Sequence, residues 1–340
     1  MRQAMFRVDA APAIGGGHVM RCLALAAALS EAGWQCRFLV AEGTLRTVTA
    51  LAHSGHSVEE GERHWHVPES FDLLVVDHYR LDARYERGWR GRARSILVID
   101  DLADRPHACD LLLDQGLARD PADYRGLVAP GCRLLLGPRY ALLRPEFARR
   151  REEALARRGA ARVERVLIAP GATDPTNLAA PLIAAAETLG DVAIDIAIGS
   201  AAPHLDELRR RAAASGRLGL HIDSSDMAEL MVRADLCLGA GGGTSWERCC
   251  LGLPTIVAVI SPDQALMAKG LAAAGAAEIA AAEDPVALAA AVRALAAESA
   301  RRQAMSAAAA GLCDGGGARR IAALLAETVP AEGLPAADLG

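Results

Sequence analysis

Short, largely apolar runs, most of them stopped by an acidic residue or a glycine, recur along the chain and narrow its fold more than any other feature. They do not alternate apolar with polar residues, so they suit strands covered on both faces, as in a parallel sheet. "QAMFRVD", "QCRFLVA", "DLLVVD", "SILVID", "DLLLDQ" and "CRLLLG" make a first series; "RVLIAPG", "VAIDIAIG", "RLGLHID", "ADLCLGAG" and "PTIVAVI" make a second. Helical stretches separate them: "HVMRCLALAAALSEAGW", closed at Gly33, with residues 43–54 and 82–90 in the first series, and "LAAPLIAAAETLG" in the second.

The rhythm breaks once, at "RRREEALARRGAAR" (149–162), which reads as a helix leading into a connection. The expectation is an α/β chain of two doubly wound Rossmann-like domains facing across a cleft. Residues 1–150 would form the first, 160–327 the second, and 328–340 a loose tail. A length of 340 residues is comfortable for two domains, and 52% hydrophobic residues with 23% charged suit a large core. The net charge of -5 gives no electrostatic reason to expect nucleic acid or an acidic membrane surface. Lys269 is the only lysine, which excludes a P-loop lysine and a Schiff-base lysine elsewhere. The 8 cysteines lack C-x-x-C spacing and read as buried free thiols of a reducing compartment. "MRQAMFRVD" turns acidic too early for a signal peptide, and no apolar stretch approaches the roughly 18 residues of a membrane span. A soluble, cytoplasmic protein is expected.

Two glycine loops stand where strands hand over to helices. Gly15, Gly16 and Gly17 precede His18, without the full G-x-G-x-x-G spacing of a phosphate turn. The histidine either packs its helix or faces a substrate. The positive end of a helix disfavours imidazolium, leaving a neutral ring able to accept a proton. Arg21, three residues on, projects to the same side. In "LGAGGGTSWERC" (238–249), glycines are followed by Thr244 and Ser245 at a helix start, where N–H groups and hydroxyls can hold phosphate oxygens. Glu247 either steadies that helix or binds the two hydroxyls of a ribose. Asp77, His78 and Tyr79 follow a strand's carboxyl end, where open α/β sheets carry ligands, or form a polar turn. Asp100, Asp101 and Asp104 read as loop or cap residues rather than metal ligands, and His64 and His66 as surface residues. Cys249 and Cys250 read as helix packing.

Taken together, "FRVDAAPAIGGGHVMRCLALA", "VVDHYRLD", "IDDLADRPHACDLLLDQ", "LGPRYALLRPEF", "TDPTN" and "AGGGTSWERCCLGLP" resemble the UDP-sugar hydrolases of pseudaminic acid biosynthesis, the PseG family. The motifs occur in the family's order over roughly residues 5–275. The resemblance implies a MurG-like GT-B fold. It implies hydrolysis of UDP-2,4-diacetamido-2,4,6-trideoxy-β-L-altropyranose to UDP and the free sugar, with inversion and with no metal or cofactor. The partners are then a UDP-sugar and UDP, with no nucleic acid and no transmembrane segment. His18 carries the family's catalytic histidine. Gly17, Arg21, Tyr79, Gly171, Asp174, Gly242, Gly243, Thr244, Ser245, Glu247, Asp263 and Gln264 fall on substrate-binding positions, with Gly241 to Ser245 on the diphosphate. Three positions depart from the family: a bulkier residue is expected at Gly16, a Gly-Gly pair at Gly171-Ala172, and an asparagine at Asp263. Two alternatives stay open. One is a GT-B glycosyltransferase, with "RYALLRPEFARRR" (139–151) either a membrane-docking face for a lipid acceptor or, the favoured reading, an interdomain connection with a solvated arginine run; the other is a non-catalytic UDP-sugar binding protein.

Overall fold

The structure, a computed structural model, describes residues 1–11, 15–62, 65–117, 119–259 and 262–329, apart from the side chains of residues 262 and 263. The apolar runs are strands whose side chains are covered on both faces: Leu73, Leu74, Val75 and Val76 are all buried. The first sheet holds β1 (Gln3–Val8), β2 (Gln35–Val40), β3 (Ser57–Glu60), β4 (Phe71–Asp77), β5 (Ala93–Ile99), β6 (Leu111–Asp114) and β7 (Arg133–Leu136). Its order is β3-β2-β1-β4-β5-β6-β7, and every pairing is parallel. Phe6 lies opposite Phe38 and Val75, and the two phenylalanine rings stack at 4.8 Å.

The second sheet holds β8 (Arg165–Ala169), β9 (Ala193–Ile198), β10 (Leu218–Ile222), β11 (Leu236–Ala240), β12 (Thr255–Ala258) and β13 (Glu278–Ala280). Its order is β10-β9-β8-β11-β12-β13, again parallel throughout. The strand order reverses between β1 and β4, and again between β8 and β11. Each reversal opens a crevice at the strands' carboxyl ends. The doubly wound α/β class expected from the apolar runs is the class observed. Of the four edge strands, β7 and β10 are among the apolar runs, whereas β3 (SVEE) is mostly polar and β13 (EIA) is very short, as exposed sheet edges often are.

Packing redraws the expected boundaries at 150 and 327. The helix Pro145–Arg157 buries Phe147 and Ala154 in the core of the second half. The helix Gly317–Thr328 returns to the first half, where Ala318, Ile321, Ala322 and Leu325 join the core around Gly17–Glu31. The chain crosses between the halves at 141–144: Leu142 sits in the first core, Ala141 and Leu143 in the second. Gly317 touches the backbone of Tyr140 and Ala141 too closely for any side chain. The halves also meet where Leu117, past β6, lies 3.2 Å from the point a Cβ at Gly270 would occupy. Of the expected tail, Thr328 ends a helix and Val329 is buried, while residues 330–340 lie outside the described residues. All eight cysteines are free thiols, and all but Cys132 are buried. Among the described residues no helix is long and apolar enough to cross a membrane.

Candidate active site

At the first crevice, Val8 on β1 lies in register with Asp77 on β4, so the two strands end side by side. The chain leaves β1, turns through Gly15 at φ +78, and re-enters as the helix Gly17–Glu31, whose second residue is His18. Gly16 departs from the bulkier residue expected there, and the reason is Val48: a Cβ at Gly16 would lie 2.8 Å from its Cγ2. A Cβ at Gly17 would meet nothing within 4 Å, so the floor beside His18 is open.

His18 keeps 9% of its side-chain surface exposed, and its Nδ1 lies 2.6 Å from Asp77 Oδ1. Arg21 donates from Nε to Asp77 Oδ2 at 2.6 Å, from Nη2 to Asp77 Oδ1 at 2.7 Å, and from Nη1 to Asp101 Oδ1 at 2.9 Å. Arg21 is therefore occupied by carboxylates on both edges of its fork. The substrate-binding role expected of it is corrected to support of Asp77. Burial works to raise the Asp77 carboxyl, but Arg21 and His18 outweigh it and hold it far below the ordinary carboxylate range. Tyr79, 39% exposed, meets the imidazole edge-on with ring centroids 4.5 Å apart.

At the second crevice, Gly171 follows β8 at φ +111, a conformation that favours glycine. The loop after β11 begins with Gly241, whose N–H donates to Gln264 Oε1 at 3.1 Å. A Cβ at Gly242 or Gly243 would meet nothing within 4 Å, so the space above both is free. Thr244, partly exposed, opens the helix Thr244–Cys250. Ser245 does not face that space. It is 1% exposed, and its hydroxyl accepts from Arg248 Nη2 at 2.7 Å, because the buried guanidinium needs acceptors and also donates to the Ala240 carbonyl. The Glu247 carboxyl is pushed up to about 7 by burial, against the opposing pull of Arg144, 3.8 Å away.

Asp174 is also corrected. It is 1% exposed, and its two oxygens accept from the N–H groups of Leu178 at 2.7 Å and Ala179 at 3.0 Å. The first N–H groups of the helix Ala179–Glu187 have no partners inside the helix, so the carboxylate is consumed there rather than at a ligand. The Asp263 side chain lies outside the described residues, as does His64.

The remaining polar residues serve the scaffold. His78 lies 3.2 Å from Asp9 through Nε2, Tyr124 donates to Asp100 and Asp114, and Asp104 pairs with Arg105 on the surface. His66 is exposed beside Glu59. Among the described residues no group of three or more His, Cys, Asp or Glu side chains could hold a metal ion. Sequence reasoning named Asp77 only as a residue at a strand end and gave Arg144 no role; neither carried a local signal for its partner.

Residues 180–324 match the Glycosyltransferase family 28 C-terminal domain. Over 231 residues, 67% of this chain and 80% of the relative, the chain is 29% identical to the UDP-2,4-diacetamido-2,4,6-trideoxy-beta-L-altropyranose hydrolase of Campylobacter jejuni. The resemblance to the PseG hydrolases holds. Spore coat polysaccharide biosynthesis protein SpsG of Bacillus subtilis is also 29% identical, over 77% of this chain and 79% of its own length. Among solved structures, Acinetobacter baumannii MurG superposes with a TM-score of 0.65 at 15% identity, covering 96% of this chain and all of MurG. That likeness establishes the GT-B architecture, two parallel-sheet α/β domains, for this PseG-like chain.

Proposed function

We propose that this protein hydrolyses a UDP-linked 2,4-diacetamido-2,4,6-trideoxy sugar, releasing UDP and the free sugar with inversion at the anomeric carbon. The observation that carries the reading is the His18 imidazole, largely buried with 9% of its side chain exposed, held at the first crevice beside Tyr79. The matching hydrolase in Campylobacter jejuni supports the substrate class.

UDP binds the second half. The loop Gly241–Gly243 with Thr244 takes the diphosphate, because the open faces of Gly242 and Gly243 admit phosphate oxygens that side chains would exclude. Glu247 accepts from the ribose hydroxyls. The sugar projects to the first half, where Tyr79 and the open face of Gly17 line its pocket. His18 takes a proton from a water whose oxygen bonds to the anomeric carbon, as the bond from that carbon to the diphosphate oxygen breaks. The electron pair leaves with UDP, whose growing charge meets backbone N–H donors. A nucleoside diphosphate leaves readily, so no second carboxyl acid is required.

Glycosyl transfer to an acceptor is the second reading, favoured by the MurG-like fold. In the arginine run of 139–151, Arg139 and Arg149 are exposed, whereas Arg150 and Arg151 are engaged within the chain. Arg151 donates to the carbonyls of Cys250, Cys313 and Ala310, and Arg150 pairs with Glu153 and Glu229. Incubation of the purified protein with the UDP-sugar and no acceptor, followed by proton NMR, separates the readings. Hydrolysis gives UDP and one free anomer first; an untouched UDP-sugar overturns the proposal. His18→Asn should lower turnover by about 10²–10⁴-fold while UDP affinity stays within a few-fold.

A further inference from the structure

We propose that Asp77 is a positioning residue that locks the His18 imidazole in its Nδ1–H tautomer, so that Nε2 is the atom that receives the proton. This inference rests on the hydrolytic reading above and assigns a role within the same site. An ionised carboxylate can only accept, so the 2.6 Å approach of Asp77 Oδ1 to His18 Nδ1 requires the hydrogen to sit on that nitrogen. The alternative tautomer would set two lone pairs against each other at that distance. Arg21 Nη2 lies 3.0 Å from the same Nδ1, but it is a donor as well. The two donors are close only because both converge on Oδ1.

Asp77 has no capacity left for a substrate. Oδ1 accepts from His18 and Arg21, while Oδ2 accepts from Arg21 and faces the Cys22 thiol at 3.6 Å. Its side chain is fully enclosed. Asp77 therefore acts through His18 and touches no reacting atom. Arg21 gives the clamp its stiffness: it bridges Asp77 on β4 to Asp101, just past β5, from one turn further along His18's own helix. The imidazole is then fixed relative to two neighbouring strands, and its orientation does not depend on the glycine loop alone. A hydrogen-bonded carboxylate of this kind sets both the tautomer and the aim of a histidine.

Nitrogen-15 NMR of the imidazole side chains tests this directly, with the His18 signals assigned by their loss in His18→Asn. In the wild-type protein, His18 Nδ1 is expected to carry the hydrogen and Nε2 to be bare. In Asp77→Asn an amide N–H can face Nδ1, so the hydrogen should move to Nε2, with turnover falling by about 10²-fold or more while KM and UDP affinity hold within a few-fold. A wild-type ring protonated on Nε2, or an Asp77→Asn enzyme with wild-type turnover, overturns the proposal. If Asp77→Asn fails to fold, the wild-type spectrum still decides. If the wild-type protein cleaves no UDP-sugar, the hydrolytic reading falls while the tautomer measurement stands by itself; if only Asp77→Asn behaves as wild type, the reverse holds.

Discussion

Glu247 sits at the first turn of a short helix with little water around it, and burial pushes its carboxyl up to about 7. In the unfolded chain the same group titrates near 4.5. Folding therefore takes up a proton between those values, and the stability this group contributes below about pH 4.5 is lost as pH rises through about 7. Glu247→Gln removes that dependence. Its melting temperature relative to wild type should rise by a few degrees on going from pH 4.5 to pH 8, which thermal scans at both pH values would check. At this scale the sequence is informative where the signal is local. The His18 and Gly241–Gly243 loops stand out because each lies between an apolar run and a helix. Asp77 does not, because its partner is brought to it by the β1–β4 register, 59 residues away in sequence. Arg21, Asp174 and Ser245 show the opposite problem. A polar side chain near a loop does not reveal that a buried carboxylate, a helix end or a buried guanidinium already occupies it.

The helix Ala179–Glu187 is held at its start as well as by its buried face. Asp174 satisfies two N–H groups at the start of Ala179–Glu187, and that helix buries Leu182 and Ile183 in the second core. Asp174→Ala should cost about 1–2 kcal/mol in unfolding free energy, as loss of a capping side chain does, measurable by urea titration. Gly317 begins the returning helix pressed on the Tyr140–Ala141 backbone, which cannot yield as a flexible side chain would. Gly317→Ala should therefore destabilise by about 3 kcal/mol or more, well beyond the propensity gain of an alanine in a helix. The strand series was legible because two-sided burial forces continuous apolarity. Two of the edge strands, β3 and β13, were not, since Ser57–Glu60 is mostly polar and Glu278–Ala280 is very short.

For the whole molecule, the packing of the two crossing helices counts more than the order of the sequence. The sequence shows a connecting helix near 149–162 and puts residues up to 327 in the second domain, yet only tertiary contact shows that Pro145–Arg157 serves the second core and Gly317–Thr328 the first. Deleting residues 317–340 would strip Ile321, Ala322 and Leu325 from around Gly17–Glu31. Hydrogen exchange on such a truncation should show protection lost in β1 and the His18 helix, with β8 to β12 still protected. Seen this way, residues 145–316 are a guest domain set into a host whose two ends meet where Gly317 rests on Ala141. Recombining such lobes between relatives then calls for cassette exchange across two seams; a single splice point would leave each lobe wearing a foreign helix.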